Sequence, residues 1–209
     1  THLRTAATAD TPMSPTDTEQ VRNRLITRLE DGAEYSHIRT QLSLDEMVKR
    51  EADPATGAPT TVRALFDYWR SRRDGETPTA EAFDPQGLFT PDAFRWVSWV
   101  DVRHSDPMDF VFRSHPGFLF GDWSGKALTE YPNQVHARSL ALEYLTCKMV
   151  QKPSYYEISQ TVGDVSRTYM RLLLPVQGPR KPLTRLYYAV RYVSLDAGKE
   201  GIRNPHRAE

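Results

Sequence analysis

The sequence predicts an α+β fold: a five-stranded antiparallel sheet with a helical crossover, preceded by two or three N-terminal helices. Three observations support this fold class. From residue 94 onward the chain contains five runs rich in aromatic and β-branched residues, a composition typical of strands. A segment with apolar residues at helical spacing separates the second run from the third. Other helical segments are grouped before the first run, as in α+β proteins.

The chain length sets the expected domain organisation. At 209 residues, the chain can bury one substantial core and carry an accessory segment, and two full domains are not expected. We predict a disordered N-terminus over 1–15, flanking helices over 16–75, the sheet domain over 76–195 and a loose polar tail over 196–209.

Charge and cysteine content indicate the setting of the protein. The 27 Lys and Arg residues balance 27 Asp and Glu residues, so no net field attracts the chain to nucleic acid or anionic lipid. The single Cys147 permits no intramolecular disulfide, which is typical of reducing compartments. No apolar run approaches the roughly 18 residues of a membrane span, and residues 1–20 lack a hydrophobic signal core. We expect a cytoplasmic protein without membrane association.

Three helices are predicted before the sheet, over 16–32, 43–52 and 60–76. The second opens with Ser43 and Glu46 at the spacing of a capping box. The first and third each carry an apolar stripe at helical spacing, formed by Val21, Leu25, Ile26 and Leu29 and by Val62, Leu65, Phe66 and Trp69. These stripes require a surface on which to pack, either the sheet or a second subunit.

The five predicted strands cover 94–102, 109–115, 154–162, 167–176 and 184–194. Short helical turns are expected over 117–131, because glycines interrupt the apolar residues there. The crossover helix follows over 133–152. Its predicted buried stripe, which includes the cysteine as a core residue, consists of Val135, Leu140, Tyr144, Cys147 and Val150.

Residues 157–174 also fit a helix-turn-helix motif, which would make the protein a DNA-binding regulator. Gly163 falls at the turn, and Ser166 to Thr168 would begin a recognition helix. Pro153 argues against this interpretation because it lies immediately upstream, where a bundle would need a packed first helix, and Pro175 would cut the recognition helix short. The chain also lacks the basic surplus usual in DNA-binding proteins. Nucleic-acid binding is therefore the alternative, and it requires helices in this segment.

Segments between residues 62 and 194 resemble PAS domains, specifically the short PAS proteins without an output domain that are widespread in alphaproteobacteria. "LFDYWRSRRDGETPTAEAFDPQGL" resembles the family's leading helix and the Asp-Pro loop after it. "FRWVSWVDV" and "DFVFRSH" resemble the first two strands, and "FGDWSGKAL" contains the paired glycines Gly121 and Gly125. "YMRLLLPVQG" followed by "LYYAVRY" is similar to the closing hairpin, and is the most specific element.

Two features depart from the family pattern. The second strand ends in Ser114 and His115 where a glycine is expected, and the turn "QGPRKPLT" contains two prolines. Both concern local loop geometry. The resemblance implies an antiparallel sheet that curls around helices and leaves a cavity, in which the family binds a small molecule or a prosthetic group, or through which it relays a signal.

Candidate ligand-binding residues follow from strand alternation within that implied cavity. Tyr169, Arg171 and Leu173 share one face of the fourth strand, and a second set shares one face of the fifth: Leu186, Tyr188, Val190 and Tyr192. Arg171 is the principal candidate, because a guanidinium can bind a ligand carboxylate through two hydrogen bonds. Alternatively it reaches solvent or pairs with Glu157. The full predicted set, whose aromatic members also suit a simple core, is Phe112, Ser114, Trp123, Tyr144, Tyr156, Tyr169, Arg171 and Tyr188.

No catalytic or metal site is predicted, since the chain shows no nucleophile elbow, phosphate loop or metal-spaced histidine pair. An enzyme is not expected. The cofactor is left unknown. His115 or His136 would be needed to ligate haem, but a lone helical histidine is more often structural. Cys147 in "LTCKM" does not match the Asn-Cys-Arg-Phe-like context of flavin photosensors.

The resemblance therefore implies a sensory or regulatory module that binds a small molecule and signals through a protein partner. Because the predicted elements account for most of the chain, the output is expected to come from that partner. Flanking helices commonly pair in PAS proteins, so a homodimer through the N-terminal helices is expected. The alternatives are the DNA-binding regulator and an interaction adaptor whose cavity is filled by side chains. The sequence does not identify the ligand, the partner or the pathway.

Overall fold

A computed structural model describes residues 35–90, 94, 96–114, 122–179 and 182–196, except the side chains of residues 195 and 196. The disordered segment predicted over 1–15, the helix predicted over 16–32 and the tail beyond residue 196 lie outside the described residues. So do His115, one of the two candidate haem ligands, and Gly121, one of the paired glycines.

Within the described ranges the chain forms an α+β structure with three α-helices and a six-stranded sheet. Every neighbouring pair of strands is antiparallel, in the order β1-β4-β5-β6-β2-β3. The elements in chain order are β1 (Tyr35–Leu42), α1 (Leu44–Arg50), α2 (Thr61–Ser71), β2 (Val97–Asp101), β3 (Val111–Ser114), α3 (Gln134–Val150), β4 (Ser154–Val162), β5 (Val165–Gln177) and β6 (Leu183–Asp196).

Strand β1 is an addition to the five predicted strands, which correspond to β2 to β6. It lies at one edge of the sheet and pairs with β4 along its whole length, from Tyr35 opposite Val162 to Leu42 opposite Tyr155. Its sequence, YSHIRTQL, is largely polar, and only one of its faces is covered. The usual strand signal of alternating apolar residues is therefore weak here, and the pairing with β4 decides the conformation.

Helices α1 and α2 cover one face of the sheet. The predicted apolar stripe of α2 is confirmed, because Val62, Leu65, Phe66 and Trp69 are all buried there, against β5 residues that include Leu172. Ser43 caps α1 by accepting a hydrogen bond from the backbone N–H of Glu46 at 3.1 Å. The Glu46 carboxylate instead accepts from Arg50, one turn along the helix. These two helices therefore support the sheet from one face.

Glu51, directly after α1, joins both helices to the sheet. Its carboxylate is fully buried and accepts hydrogen bonds from the Thr60 hydroxyl at 2.6 Å, from Arg191 Nε at 2.8 Å and from the Tyr155 hydroxyl. The end of α1, the start of α2, strand β4 and strand β6 therefore meet at one carboxylate. A buried carboxylate is tolerated when its oxygens are satisfied in this way.

Helix α3 is the crossover between β3 and β4 and covers the opposite face of the sheet. Leu140, Tyr144 and Cys147 are buried as predicted, but Val135 and Val150 are 65% and 56% exposed. The predicted stripe was wrong at both ends. Val135 lies about 140° around the helix axis from Leu140 at 100° per residue, too far to share its buried side. Burial raises the pKa of the Cys147 thiol to about 12, consistent with a core residue.

Candidate functional site

Helix α3 and the strands beneath it line a small, half-open cavity of about 50 Å³. Its walls combine apolar side chains with the polar ends of arginines, tyrosines and a histidine. The lining residues are Phe112, Tyr131, His136, Leu140, Tyr144, Arg167, Tyr169, Arg171, Tyr188, Val190 and Tyr192. Converging polar groups in an otherwise apolar space are the usual composition of a ligand site.

Strand alternation brings the sheet side chains to this cavity. On β5, Tyr169 and Leu173 share the core that packs against α3, and on β6 the same core receives Leu186 and Tyr188. The predicted faces of the fourth and fifth strands are therefore confirmed. Both strands are long, and β5 is paired on both sides, with β4 and β6. The cavity wall formed by the sheet is consequently well supported by backbone hydrogen bonds.

Arg171 points from β5 towards α3 and pairs with Glu143. Its Nε donates to Glu143 Oε1 at 3.1 Å, and a second guanidinium nitrogen donates to Oε2. Glu143 also accepts from Arg39 of strand β1 at 3.2 Å. The side chains of Arg171 and Glu143 are 5% and 0% exposed, and that of Arg39 is 27% exposed. The expected alternatives of solvent or Glu157 are wrong, since Glu157 pairs with Arg50 of α1.

Arg167 lies further along the same face of β5 and is bonded to neighbouring polar side chains. Its Nε donates to Gln160 Oε1, and another guanidinium nitrogen donates to the Tyr192 hydroxyl at 3.2 Å. Gln160 in turn donates to the Tyr35 hydroxyl at 3.1 Å, and that hydroxyl is 2.7 Å from His136 Nδ1. A continuous hydrogen-bonded network therefore links β1, β4, β5, β6 and the start of α3 at one end of the cavity.

The phenols around the cavity keep their protons at neutral pH. Burial raises the pKa of Tyr131, Tyr144, Tyr188 and Tyr192 above the usual value for tyrosine. Each of these groups is therefore a neutral hydroxyl, able to donate as well as accept a hydrogen bond.

His37 of β1 lies beside His136, with ring centroids 5.6 Å apart. Its pKa falls to about 4, first because burial disfavours the charged ring and then because Arg171, Arg39 and Arg167 repel a proton. His37 Nδ1 is 3.4 Å from the Ser139 hydroxyl. The imidazole is thus neutral at physiological pH and lies near three arginines.

The structure places five of the eight predicted ligand-binding residues on the cavity wall, namely Phe112, Tyr144, Tyr169, Arg171 and Tyr188. Trp123 does not line the cavity but packs beside Tyr131, which does; their ring centroids are 5.0 Å apart. Tyr156 lies opposite Arg171 on β4, with Arg39 over its ring at 5.2 Å. Ser114 ends β3 opposite Trp99, away from the cavity.

Sequence reasoning missed Arg167 and Glu143 as parts of the site. Arg167 follows the same two-residue alternation as Arg171, so its position on the cavity face had a recognisable signal. Glu143 had none, because a glutamate on a helix is ordinarily exposed. Only the rotation of α3 shows that it faces the sheet.

A larger and more open groove of about 400 Å³ lies at the end of α3, beside Arg103, Lys148 and Leu183. Its cations already have partners: Arg103 pairs with the buried Asp101, and Lys148 donates to the His104 carbonyl oxygen at 2.9 Å. The described residues that line this groove form no buried polar network like that of the smaller cavity.

The helix-turn-helix interpretation is wrong. The residues assigned to that motif form strands β4 and β5, so no recognition helix exists there.

In the part of the chain that the structure describes, no helix is both long and apolar enough to cross a bilayer. The same described residues contain no cluster of three or more His, Cys, Asp or Glu side chains arranged to hold a metal ion.

No protein-family model, curated protein or solved structure matches this chain. Function is therefore inferred from the residues and their geometry.

Proposed function

We propose that this chain is a PAS-type sensory module that binds a small molecule between α3 and the sheet and signals through a protein partner. The observation that carries the proposal is the cavity lined by Arg171, Arg167, His136 and several tyrosines. Buried polar groups of this kind restrict the orientation of a ligand, while the apolar walls favour its transfer from water.

The order of elements supports the same proposal. The resemblance implies a sheet interrupted by a helical crossover, with a cavity between the two. Here α3 joins β3 to β4 and packs on the face of the sheet that holds the cavity. The elements that carry the resemblance therefore also build the candidate site.

The size of the cavity limits the ligand. Its volume of about 50 Å³ is well below the roughly 300–1,000 Å³ of sites for drug-sized ligands. In this conformation it accepts a molecule of only a few non-hydrogen atoms. A larger ligand would have to displace the tyrosine rings.

Helix α3 offers a route from ligand to partner, because its two sides differ in role. One side lines the cavity with His136, Leu140 and Tyr144. The other exposes Val135, Leu142 and Met149 at intervals of seven residues, with exposed fractions of 65%, 57% and 74%. Apolar residues at this interval suit contact with another helix. A ligand that shifts α3 would alter the surface offered to that partner.

Native mass spectrometry of the full chain, compared with denaturing mass spectrometry and an absorbance spectrum, tests the proposal. We expect an excess mass in the native spectrum that disappears on denaturation. Val190→Phe, which adds a ring at the cavity wall, should abolish it. Val193→Phe makes the same change at a position of β6 that is 36% exposed, and should retain the excess mass. Equal masses in both spectra, and no stabilisation of the wild type by any of a panel of small metabolites, would contradict the proposal.

The alternative is an interaction adaptor with a filled cavity, favoured by the small cavity together with the exposed apolar residues of α3. Under this alternative Val190→Phe has no effect on partner binding, whereas Leu142→Lys abolishes it.

Dimerisation is part of the proposal as well. Because α1 and α2 bury their apolar residues against the sheet, a dimer formed through these two helices would use their outer surfaces. Sedimentation equilibrium measures it.

A further inference from the structure

We propose that the cavity binds a small monocarboxylate, which Arg171 takes up in exchange for Glu143. This inference rests on the proposed function, and it names the chemical class of the ligand.

The cavity is rich in hydrogen-bond donors. Arg167 and Arg171, which line it, carry guanidinium N–H groups, and the lining residues Tyr144 and Tyr188 are protonated phenols whose hydroxyls can donate. Among the described residues no carboxylate lines the cavity. A site of this composition complements a ligand that carries negative charge and acceptor oxygens.

Glu143 is the carboxylate that a ligand would replace on Arg171. It accepts hydrogen bonds from Arg171 on β5 and from Arg39 on β1, so two cations share one anion. If a ligand carboxylate occupies Arg171, Glu143 keeps its bond with Arg39. Neither carboxylate is then left buried without a cation. A buried carboxylate without a cation would make such an exchange prohibitively unfavourable.

The exchange also couples ligand binding to the fold. Arg39 belongs to the edge strand β1, Glu143 to α3 and Arg171 to β5. When Glu143 moves from Arg171 towards Arg39, α3 loses its hydrogen bonds to the central strand β5 and keeps the one to the edge strand β1. The side chain concerned lies on the helix whose outer side exposes Leu142 and Met149.

Isothermal titration calorimetry with sodium acetate and sodium pyruvate tests the inference. Acetamide serves as the neutral analogue of acetate, and sodium chloride holds the ionic strength constant. We expect heat of binding with the carboxylates and none with acetamide. Glu143→Gln replaces the internal competitor by a weaker, uncharged acceptor, and should raise carboxylate affinity about tenfold or more.

The double variant Arg171→Gln/Glu143→Gln removes both charges and should abolish carboxylate binding. Its matched control, Arg50→Gln/Glu157→Gln, makes the same change in an ion pair that is partly exposed on the α1 side of the sheet, and should bind like the wild type. Circular dichroism of each variant establishes that it is folded.

The contrary results are distinct. If acetate and pyruvate do not bind and Glu143→Gln gains nothing, while native mass spectrometry finds a bound neutral molecule, the carboxylate inference fails and the sensory function stands. If the wild type binds neither anions nor neutral molecules, both fail. Equal binding of acetate by the wild type and by the charge-free double variant would also overturn the role of Arg171.

Discussion

Glu143 of α3 and Arg171 of β5 form a buried ion pair with two hydrogen bonds, at the edge of a cavity that Arg171 lines and Glu143 does not. The pair fixes the rotation of the helix relative to the sheet, because both guanidinium bonds require the glutamate to face inward. It also leaves Arg171 positioned between an internal carboxylate and the cavity.

Arg171→Ala should destabilise the fold, but by less than the cost of about 3–5 kcal/mol for a buried ion left without any partner, because Glu143 keeps its hydrogen bond to Arg39. Arg171→Met combined with Glu143→Leu should recover much of that loss, since apolar residues often replace a buried ion pair without penalty. Urea denaturation of the wild type and both variants measures the free energy of unfolding. A double variant as unstable as Arg171→Ala would contradict this account of the pair.

The stability of the protein should fall as the pH is lowered from about 6.5 to about 4, through the protonation of His37 in the unfolded chain. His37 faces Tyr35, His136 and Ser139, and its pKa in the folded protein is lowered to about 4 by burial and by nearby arginines. In this range the unfolded state binds a proton that the folded state excludes, so protonation favours unfolding.

His37→Gln should remove this part of the pH dependence, measured as the free energy of unfolding in urea between pH 7 and pH 4. His104→Gln, at an exposed position after β2, is the control and should retain it. The effect is separate from that of Asp101. Burial would raise the pKa of this carboxyl, but hydrogen bonds from Arg103 and Arg113 lower it to about 2. Asp101 in the folded protein therefore titrates below this range. An unchanged slope in His37→Gln would contradict the assignment.

Leu140→Ala should destabilise the protein by about 2–5 kcal/mol, as expected for a buried leucine. Leu142→Ala, two residues further along α3, should cost far less, because that side chain is 57% exposed. Thermal unfolding of the two variants compares the inner and outer sides of the helix directly. Similar losses in both would indicate that Leu142 is covered in solution, and would favour an interface on the outer side of α3.

Several elements were predictable because their signals are local. The stripe of Val62, Leu65, Phe66 and Trp69 specified α2, and alternation along β5 and β6 placed Tyr169, Arg171 and Tyr188 on one face. These patterns depend only on residue spacing and on the geometry of a helix or strand. The five strands now labelled β2 to β6 followed from the same kind of signal.

Other features had no local signal. Strand β1 is polar and is specified by its pairing with β4. The outer position of Val135 depends on the way in which α3 rotates to bury Glu143. The same limit applied to residues 157–174, whose helix-like spacing was compatible with a DNA-binding motif until pairing with β1 and β6 made them strands.

The sequence by itself determined the α+β class, the face of each long strand and the choice of Arg171 as the residue most in need of a partner. Only the tertiary structure decided what that partner is, since an arginine on a strand can be paired by any acceptor that the fold brings near. Glu143 lies 28 residues away, and Arg39, which shares it, is 104 residues from Glu143. Contacts at such separations arise from strand order and helix packing, which residue spacing does not encode.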